Sequence, residues 1–210
     1  MDVILAIDSA SAAFALALLR DGEVTTLVRE GGQNHSRLLI PAIQELLEGA
    51  PPLTGIVVVR GPGSYAGVRV GLATATALAL ARGIPLAGLT TFEALAAAAG
   101  KGAWLGIHPA GRGTFATQRI NDGTPTGALQ STTAAGLAAD GLTADGPRPI
   151  GEGAASFAGT ELGPEARVRG AAVLGAARLR DQDISRPEAL YLREPNITAP
   201  RKAPIFQPTR

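Results

Sequence analysis

The stretch "GVRVGLATATALALAR", residues 67 to 82, restricts the fold more than any other part of the chain. It has the length of a four-turn helix and its only charges, Arg69 and Arg82, stand at its ends. At 3.6 residues per turn, Val68, Val70, Leu72, Leu78 and Leu80 spread around the whole circumference with alanines and glycines between them. A helix that is apolar all round is expected to be buried all round. Gly67, Gly71 and Ala75, four residues apart, keep one ridge low enough for a neighbouring backbone to approach closely. Gly83 and Pro85 supply the stop in the expected order.

A second predicted helix, His35 to Glu48 with Asn34 as its cap, has the same excess. Leu38, Leu39, Ile40, Ala42, Ile43, Leu46 and Leu47 sweep an arc of roughly 200°, about double the stripe a one-sided surface helix needs. A sheet can cover one side of each helix. The other side needs a further layer of this chain or a partner, and both readings are open.

The remaining pattern supplies the sheet. Val3 to Asp8, Phe14 to Leu19 and Glu23 to Arg29 read as an antiparallel meander with Arg20-Asp21-Gly22 at one turn. Gly55 to Arg60 and Ile84 to Leu89 are further strands, and Thr91 is read as the cap of a third helix that runs through Ala99. The order is βββαβαβα, unlike the strict βαβ alternation of a doubly wound nucleotide-binding fold. Gly100-Lys101-Gly102 marks a boundary, giving a first unit of residues 1–100 and a second, smaller one of 101–192. In the second unit the signals are weaker: strands at Ala103–Ile107, Thr114–Ile120 and Arg148–Ile150, and helices at Thr132–Ala139 and Ala171–Leu179. Residues 193–210 hold four prolines with Arg193, Arg201, Lys202 and Arg210 against Glu194, which predicts a flexible basic tail.

Between strand and apolar helix lies Gly61-Pro62-Gly63-Ser64-Tyr65-Ala66, which satisfies the dinucleotide fingerprint G-x-G-x-x-[G/A] as a string. Its position rejects that reading: it follows the fourth strand, and no acid lies near the twentieth position beyond it. A phosphate loop is excluded as well, because no Gly-Lys-Ser/Thr follows. Two readings of Arg60, Gly61, Gly63, Ser64, Gly67 and Arg69 remain, a tight turn built for close packing and a helix N-terminus that contacts an anion.

Other chemistry is scarce. With no cysteine and only His35 and His108, neither a disulfide framework nor a zinc site is expected, and no metal is expected on this chain. Ser64 with His35 is the one nucleophile pairing to weigh, though no G-x-S-x-G elbow occurs. A formal net charge of +1 is too balanced to predict strong nucleic-acid binding from electrostatics alone. Asp2 and Asp8 disfavour a signal peptide at the apolar N-terminus, no run reaches membrane-spanning length, and a cytoplasmic location is expected.

Four segments, "ILAIDSASAAFALALL", "NHSRLLIPAIQELL", "VVVRGPGSYAGVRVGLATATALA" and "IPLAGLTTFEAL", resemble the TsaB (YeaZ) family of bacterial tRNA-modification proteins in order and spacing. "PIGEGA" at Pro149 to Ala154 and "ALYLRE" at Ala189 to Glu194 add weaker likeness. The resemblance implies an α/β fold of the actin-like ATPase, ribonuclease-H-like class with two subdomains, the second degenerate. It implies a non-catalytic scaffold in making N6-threonylcarbamoyladenosine beside the anticodon of tRNAs that read codons starting with A. The partners implied are a catalytic, metal-bearing TsaD-type paralogue and a small TsaE-type ATPase, with tRNA reached only through the complex. A homodimer through the same surface is implied when the paralogue is absent. No cofactor is expected on this chain alone, with ATP or ADP confined to the assembled complex.

By that analogy the interface uses the two over-apolar helices, with Leu38, Leu39, Ala42, Val68, Leu72, Ala75 and Leu78 as candidates. Asp8 and Ser9 stand where an actin-like ATPase positions Mg²⁺ and water, so they are the vestigial nucleotide-site candidates; a strand-end turn acid is the other reading of Asp8. The segment His108 to Phe115 departs from the family pattern of Asp-Ala-Arg followed by Gly-Glu-Val-Tyr. That departure disfavours independent ATP hydrolysis. A stand-alone actin-like ATPase or kinase, and a peptidase using Ser64 or His35 on its partner, are the alternatives.

Overall fold

Ten strands and five helices form two five-stranded sheets with the same connectivity in a computed structural model that describes residues 2–32, 34–111, 113–139, 146–182 and 187–192. The expected basic tail, residues 193–210, lies outside the described residues, as does Arg112 within the divergent segment.

The first sheet contains β1 (Val3–Asp8), β2 (Ala13–Arg20), β3 (Glu23–Glu30), β4 (Gly55–Val59) and β5 (Leu86–Leu89), in the order β3-β2-β1-β4-β5. β1 runs antiparallel to β2 and parallel to β4, so the meander and the crossover strands meet on one central strand. Every residue of β1 is buried. On one face Leu5, Ile7, Phe14, Leu16, Ile56 and Val58 pack beneath α1 (His35–Leu46) and α2 (Tyr65–Arg82).

The opposite face carries Ile4, Ala6, Ala15, Ala17, Val57 and Val59. It is covered by α5 (Pro164–Arg180), through Val168, Ala171, Ala172 and Ala176. Gly175 brings α5 so near the sheet that a Cβ there would meet Val57 Cγ2 at 2.3 Å.

The second sheet contains β6 (Ala103–Pro109), β7 (Thr114–Asn121), β8 (Thr124–Thr133), β9 (Arg148–Gly151) and β10 (Thr160–Glu161), in the order β10-β9-β6-β7-β8. Again the central strand is antiparallel to the next strand and parallel to the crossover strand. This doubling of one connectivity is the actin-like, ribonuclease-H-like arrangement. α3 (Thr91–Ala99) lies on its inner face with Phe92, Leu95 and Ala96 against Ala116, Ile120 and Ile150, and also packs on α5. The outer face has the short α4 (Ala134–Ala139) and a 3-10 turn, Ala154–Phe157.

Several expectations need correction. The boundary at Gly100–Gly102 divides the strands but not the helices, since α5, from the second half, roofs the first sheet. α5 begins at Pro164, seven residues before the expected start; proline is tolerated at a first helical position because its missing N–H has no partner there anyway. α2 starts at Tyr65, because the Ser64 side chain caps it by accepting from Gly67 N at 3.3 Å. Thr90, not Thr91, caps α3, in a capping box with Glu93. Asn34 makes no side-chain capping bond. Most informatively, α2 is not buried all round: Leu80 is 83% exposed. No helix among the described residues is long and apolar enough to cross a membrane.

Candidate functional site

The cleft between the sheets is floored by polar groups, each placed by the end of a regular element. Asp8 closes β1, Ser9 and Ser11 form the turn into β2, His108 is near the end of β6, and Glu152 follows β9. Into this floor α5 delivers Arg167 from its first turn. Its guanidinium is 1% exposed and the carboxylate of Asp8 is fully buried.

Arg167 Nε donates to Asp8 Oδ2 at 2.7 Å, and Nη2 donates to Ser11 Oγ at 2.7 Å. Nη1 donates to Glu152 Oε2 at 3.1 Å and lies 3.2 Å from His108 Nδ1. The Ser11 hydroxyl donates to Glu152 in turn. His108 Nε2 is 3.2 Å from Ala10 O, which assigns the ring proton to Nε2 and leaves the Nδ1 lone pair facing the guanidinium. Burial, and then the positive charge of Arg167, hold the His108 pKa down at about 3, so the ring is neutral at physiological pH. One buried arginine thus stands between the buried carboxylate of Asp8 and the partly exposed one of Glu152.

An actin-like fold implies a magnesium nucleotide in such a cleft, and the residues present do not fit it. Asp8 Oδ1 accepts from Ala10 N at 3.0 Å while Oδ2 accepts from Arg167, so both oxygens are engaged within the chain and the guanidinium lies where a metal would have to approach. The Ser9 hydroxyl donates to Gly67 O at 2.8 Å. Among the described residues, no group of three or more His, Cys, Asp or Glu side chains could hold a metal ion.

The glycine loop meets this floor from the other side. Ser64 N donates to Ala10 O at 2.7 Å, and a Cβ on Gly63 would stand 2.4 Å from the same oxygen. On Gly67 it would be 2.0 Å from Ser9 O, and on Gly71 2.2 Å from Ser9 Oγ. The three glycines let the start of α2 lie directly on the β1–β2 turn.

The two arginines beside the loop are engaged within the chain. Arg60 donates to Glu188 O at 3.2 Å, and Arg69 donates to Tyr65 Oη at 2.9 Å. The segment 187–192 crosses here: Leu190 N donates to Arg60 O at 2.8 Å, and the rings of Tyr191 and Tyr65 lie 4.7 Å apart. Ser64 and His35 are not brought together as nucleophile and base. The Ser64 hydroxyl caps α2, whereas His35 Nδ1 is 2.8 Å from Gly32 O and its ring leans on Phe14.

The seven interface candidates divide. Leu39, Ala42, Val68 and Ala75 are buried in this chain's own core, because they face the first sheet, and Leu38, Leu72 and Leu78 are half-buried against it. The outward face of α2 is instead Ala66, Arg69, Ala73, Ala77 and Leu80, at helical spacing, with the 42% exposed Ile40 of α1 on the helix alongside. Sequence reasoning singled out Asp8 and Ser9 as vestigial nucleotide-site candidates and did not single out Glu152 or Arg167. Arg167 had a signal: it stands four residues before Ala171 and eight before Gly175, in line with the buried stripe of its helix.

Residues 25–161 match the family described as "TsaD: tRNA N6-adenosine threonylcarbamoyltransferase". The chain is 41% identical over 99 residues to the tRNA threonylcarbamoyladenosine biosynthesis protein TsaB of Bacillus subtilis (strain 168), a match covering 45% of this chain and 43% of that protein. It is 37% identical over 105 residues to the protein of the same name from Escherichia coli (strain K12), covering 48% and 44%. These matches thus span less than half the length of either curated relative. In fold it is similar to YeaZ from Pseudomonas aeruginosa, with a TM-score of 0.72 and 20% identity over 91% of this chain and all of that one. Motif order, doubled sheet connectivity and these likenesses agree: the chain belongs to the TsaB (YeaZ) family.

Proposed function

We propose that the protein serves the synthesis of N6-threonylcarbamoyladenosine in tRNA as a non-catalytic subunit that pairs with a catalytic TsaD-type paralogue. The names of the relatives, tRNA threonylcarbamoyladenosine biosynthesis proteins, support the pathway. The observation that carries the non-catalytic role is the buried pair of Asp8 and Arg167, which engages the acid an actin-like ATPase would offer to metal. The pairing surface is the outward stripe of α2 from Ala66 to Leu80 beside Ile40. Alanines keep that stripe shallow, so a partner helix can approach closely, and Leu80 supplies the anchor. A homodimer through the same stripe, a TsaE-type ATPase, tRNA contact through the assembly alone and a cytoplasmic location complete the reading.

Co-expression with the TsaD-type paralogue followed by size-exclusion chromatography tests it, with mass spectrometry of tRNA nucleosides after depletion of this chain. Co-elution and loss of the modified nucleoside are expected; separate elution and unchanged nucleoside would reject the reading. Leu80→Glu, at an exposed position, is expected to weaken association at least tenfold while leaving the melting temperature within about 2 °C.

A further inference from the structure

Residues 187–192 lie in no helix or strand, yet they cross from one sheet to the other over the start of α2. Pro187 sits on β5, where a Cβ on Gly88 would stand 2.4 Å from its own. Ala189 and Tyr191 pack on the core of the first sheet that α5 covers, and Leu192 packs on the cluster of the second. Between them Leu190 N donates to Arg60 O at 2.8 Å, and Arg60 Nη1 donates to Glu188 O at 3.2 Å. Gly61, the first glycine of the loop, makes room for the crossing: its φ is +97°, and a Cβ there would stand 2.5 Å from Leu190 O.

The crossing bears on α2 itself. The ring of Tyr191 lies 4.7 Å from that of Tyr65, the first residue of the helix. One turn on, the Arg69 guanidinium is 5.4 Å from the centre of the Tyr65 ring, and its Nη1 donates to Tyr65 Oη at 2.9 Å. Arg69 is the only charge on the outward stripe of α2, and among the described residues its other N–H donors have no acceptor.

We propose that residues 187–192 are a strap that positions Arg69, through Tyr191 and Tyr65, on the outward face of α2 for a carboxylate of the paralogue. This role rests on the pairing reading above. An exposed arginine ordinarily samples many rotamers, and ordering it beforehand removes the entropy cost of fixing it on contact. A charged fork with unspent donors on an alanine stripe selects a carboxylate over an apolar group. Tyr191 is thus a positioning residue that acts through its neighbour.

The full chain alone gives the first readout. The Arg69 Nε order parameter is expected above about 0.6 in the wild type and in Tyr191→Phe, which keeps the stack, and well below it in Tyr191→Ala. Tyr65 and Tyr191 are the only tyrosines, so ring-labelled tyrosine spectra follow the stack directly. Association with the paralogue is then titrated for the wild type, Tyr191→Ala, Arg69→Ala and the double variant. Arg69→Ala is expected to weaken it about tenfold and Tyr191→Ala about threefold, with the double variant no weaker than Arg69→Ala and Tyr191→Phe equal to the wild type. Arg69→Ala should also remove most of the salt dependence of association.

An Arg69 order parameter indifferent to Tyr191→Ala overturns the proposal. So does a Tyr191→Ala effect that is as large without Arg69 as with it, or a salt dependence that survives Arg69→Ala. If Tyr191→Ala melts more than about 5 °C early, Tyr191→Leu keeps the apolar cover without the ring and runs the same cycle. A wild type that fails to bind the paralogue rejects the pairing reading, and the order parameter still decides whether the strap holds Arg69.

Discussion

The two sheets share one connectivity and differ in what covers them. In the first, β1 is buried at every position because α1 and α2 cover one face and α5 the other. In the second, β6 is fully buried only from Gly106 to His108, and the outer face has a six-residue helix and a 3-10 turn. A sheet covered on both faces is written as nearly continuous apolar strands, whereas a thinly covered sheet is written in mixed residues. The same backbone plan therefore leaves a strong trace in one half of the sequence and a faint one in the other.

Equivalent positions test that contrast. Phe14 and Phe115 are each the second residue of the strand that follows the central one, fully buried in the first sheet and half-buried against Phe157 in the second. Phe14→Ala is expected to cost about 3–5 kcal/mol in urea denaturation. Phe115→Ala is expected to cost about 1–2 kcal/mol, in proportion to its partial burial. Equal costs would break the comparison.

The seam between the sheets should respond nearly as strongly as the first core. Asp8→Asn leaves Arg167 short of one counter-charge and is expected to cost about 3–5 kcal/mol. A loss below about 1 kcal/mol would place the seam outside the stabilising core.

Acid sharpens the distinction. Because the folded pKa of His108, about 3, lies below its ordinary value of 6.5, the unfolded chain binds the proton more readily. Stability is therefore expected to fall as pH drops from about 6.5 towards 3, by up to about 1.4 kcal/mol per pH unit. His108→Gln should flatten that part of the profile, and an unchanged slope would locate the proton elsewhere. Glu93 adds a second loss at lower pH. Burial alone would raise its pKa, but the Thr90 amide and Arg178 outweigh burial and hold it below the ordinary glutamate value of 4.5. Its contribution is present above 4.5 and disappears as pH falls through the lower folded value. The smallest effect expected is at the cap of α3, where Thr90→Ala should cost about 1 kcal/mol by the same denaturation assay.

How much of this was legible follows from the same contrast. The meander, the crossover strands and the two outer helices were readable because Leu5, Ile7, Leu16 and Val58 recur with regular period. The glycine loop's close packing was among the open readings. Its partner, the β1–β2 turn, was not foreseeable, since Gly67 and Ser9 meet only in three dimensions. β8 was missed because Thr124–Thr133 is polar and mostly exposed or half-exposed. Arg167 was missed because Arg167 and Arg169 break up the apolar pattern at the start of α5, where only the tertiary cleft gives a buried charge its partners. For the two over-apolar helices periodicity alone does not say which side meets the sheet, and the structure places Leu39, Ala42, Val68 and Ala75 in the core and Leu80 in the open.

The placement of α5 sets an order of events during synthesis. All five strands of the first sheet have been made once Leu89 leaves the ribosome, yet Ile4, Ala6, Val57 and Val59 gain their cover only after residue 176 has followed. Until then a nascent chain carries a naked apolar plane, the kind of surface that trigger-type holdases bind and that sticks to its neighbours on a polysome. Truncation before Pro164 is thus expected to yield insoluble product even with the whole first sheet present, and the arrival of α5 is the step that closes the first core.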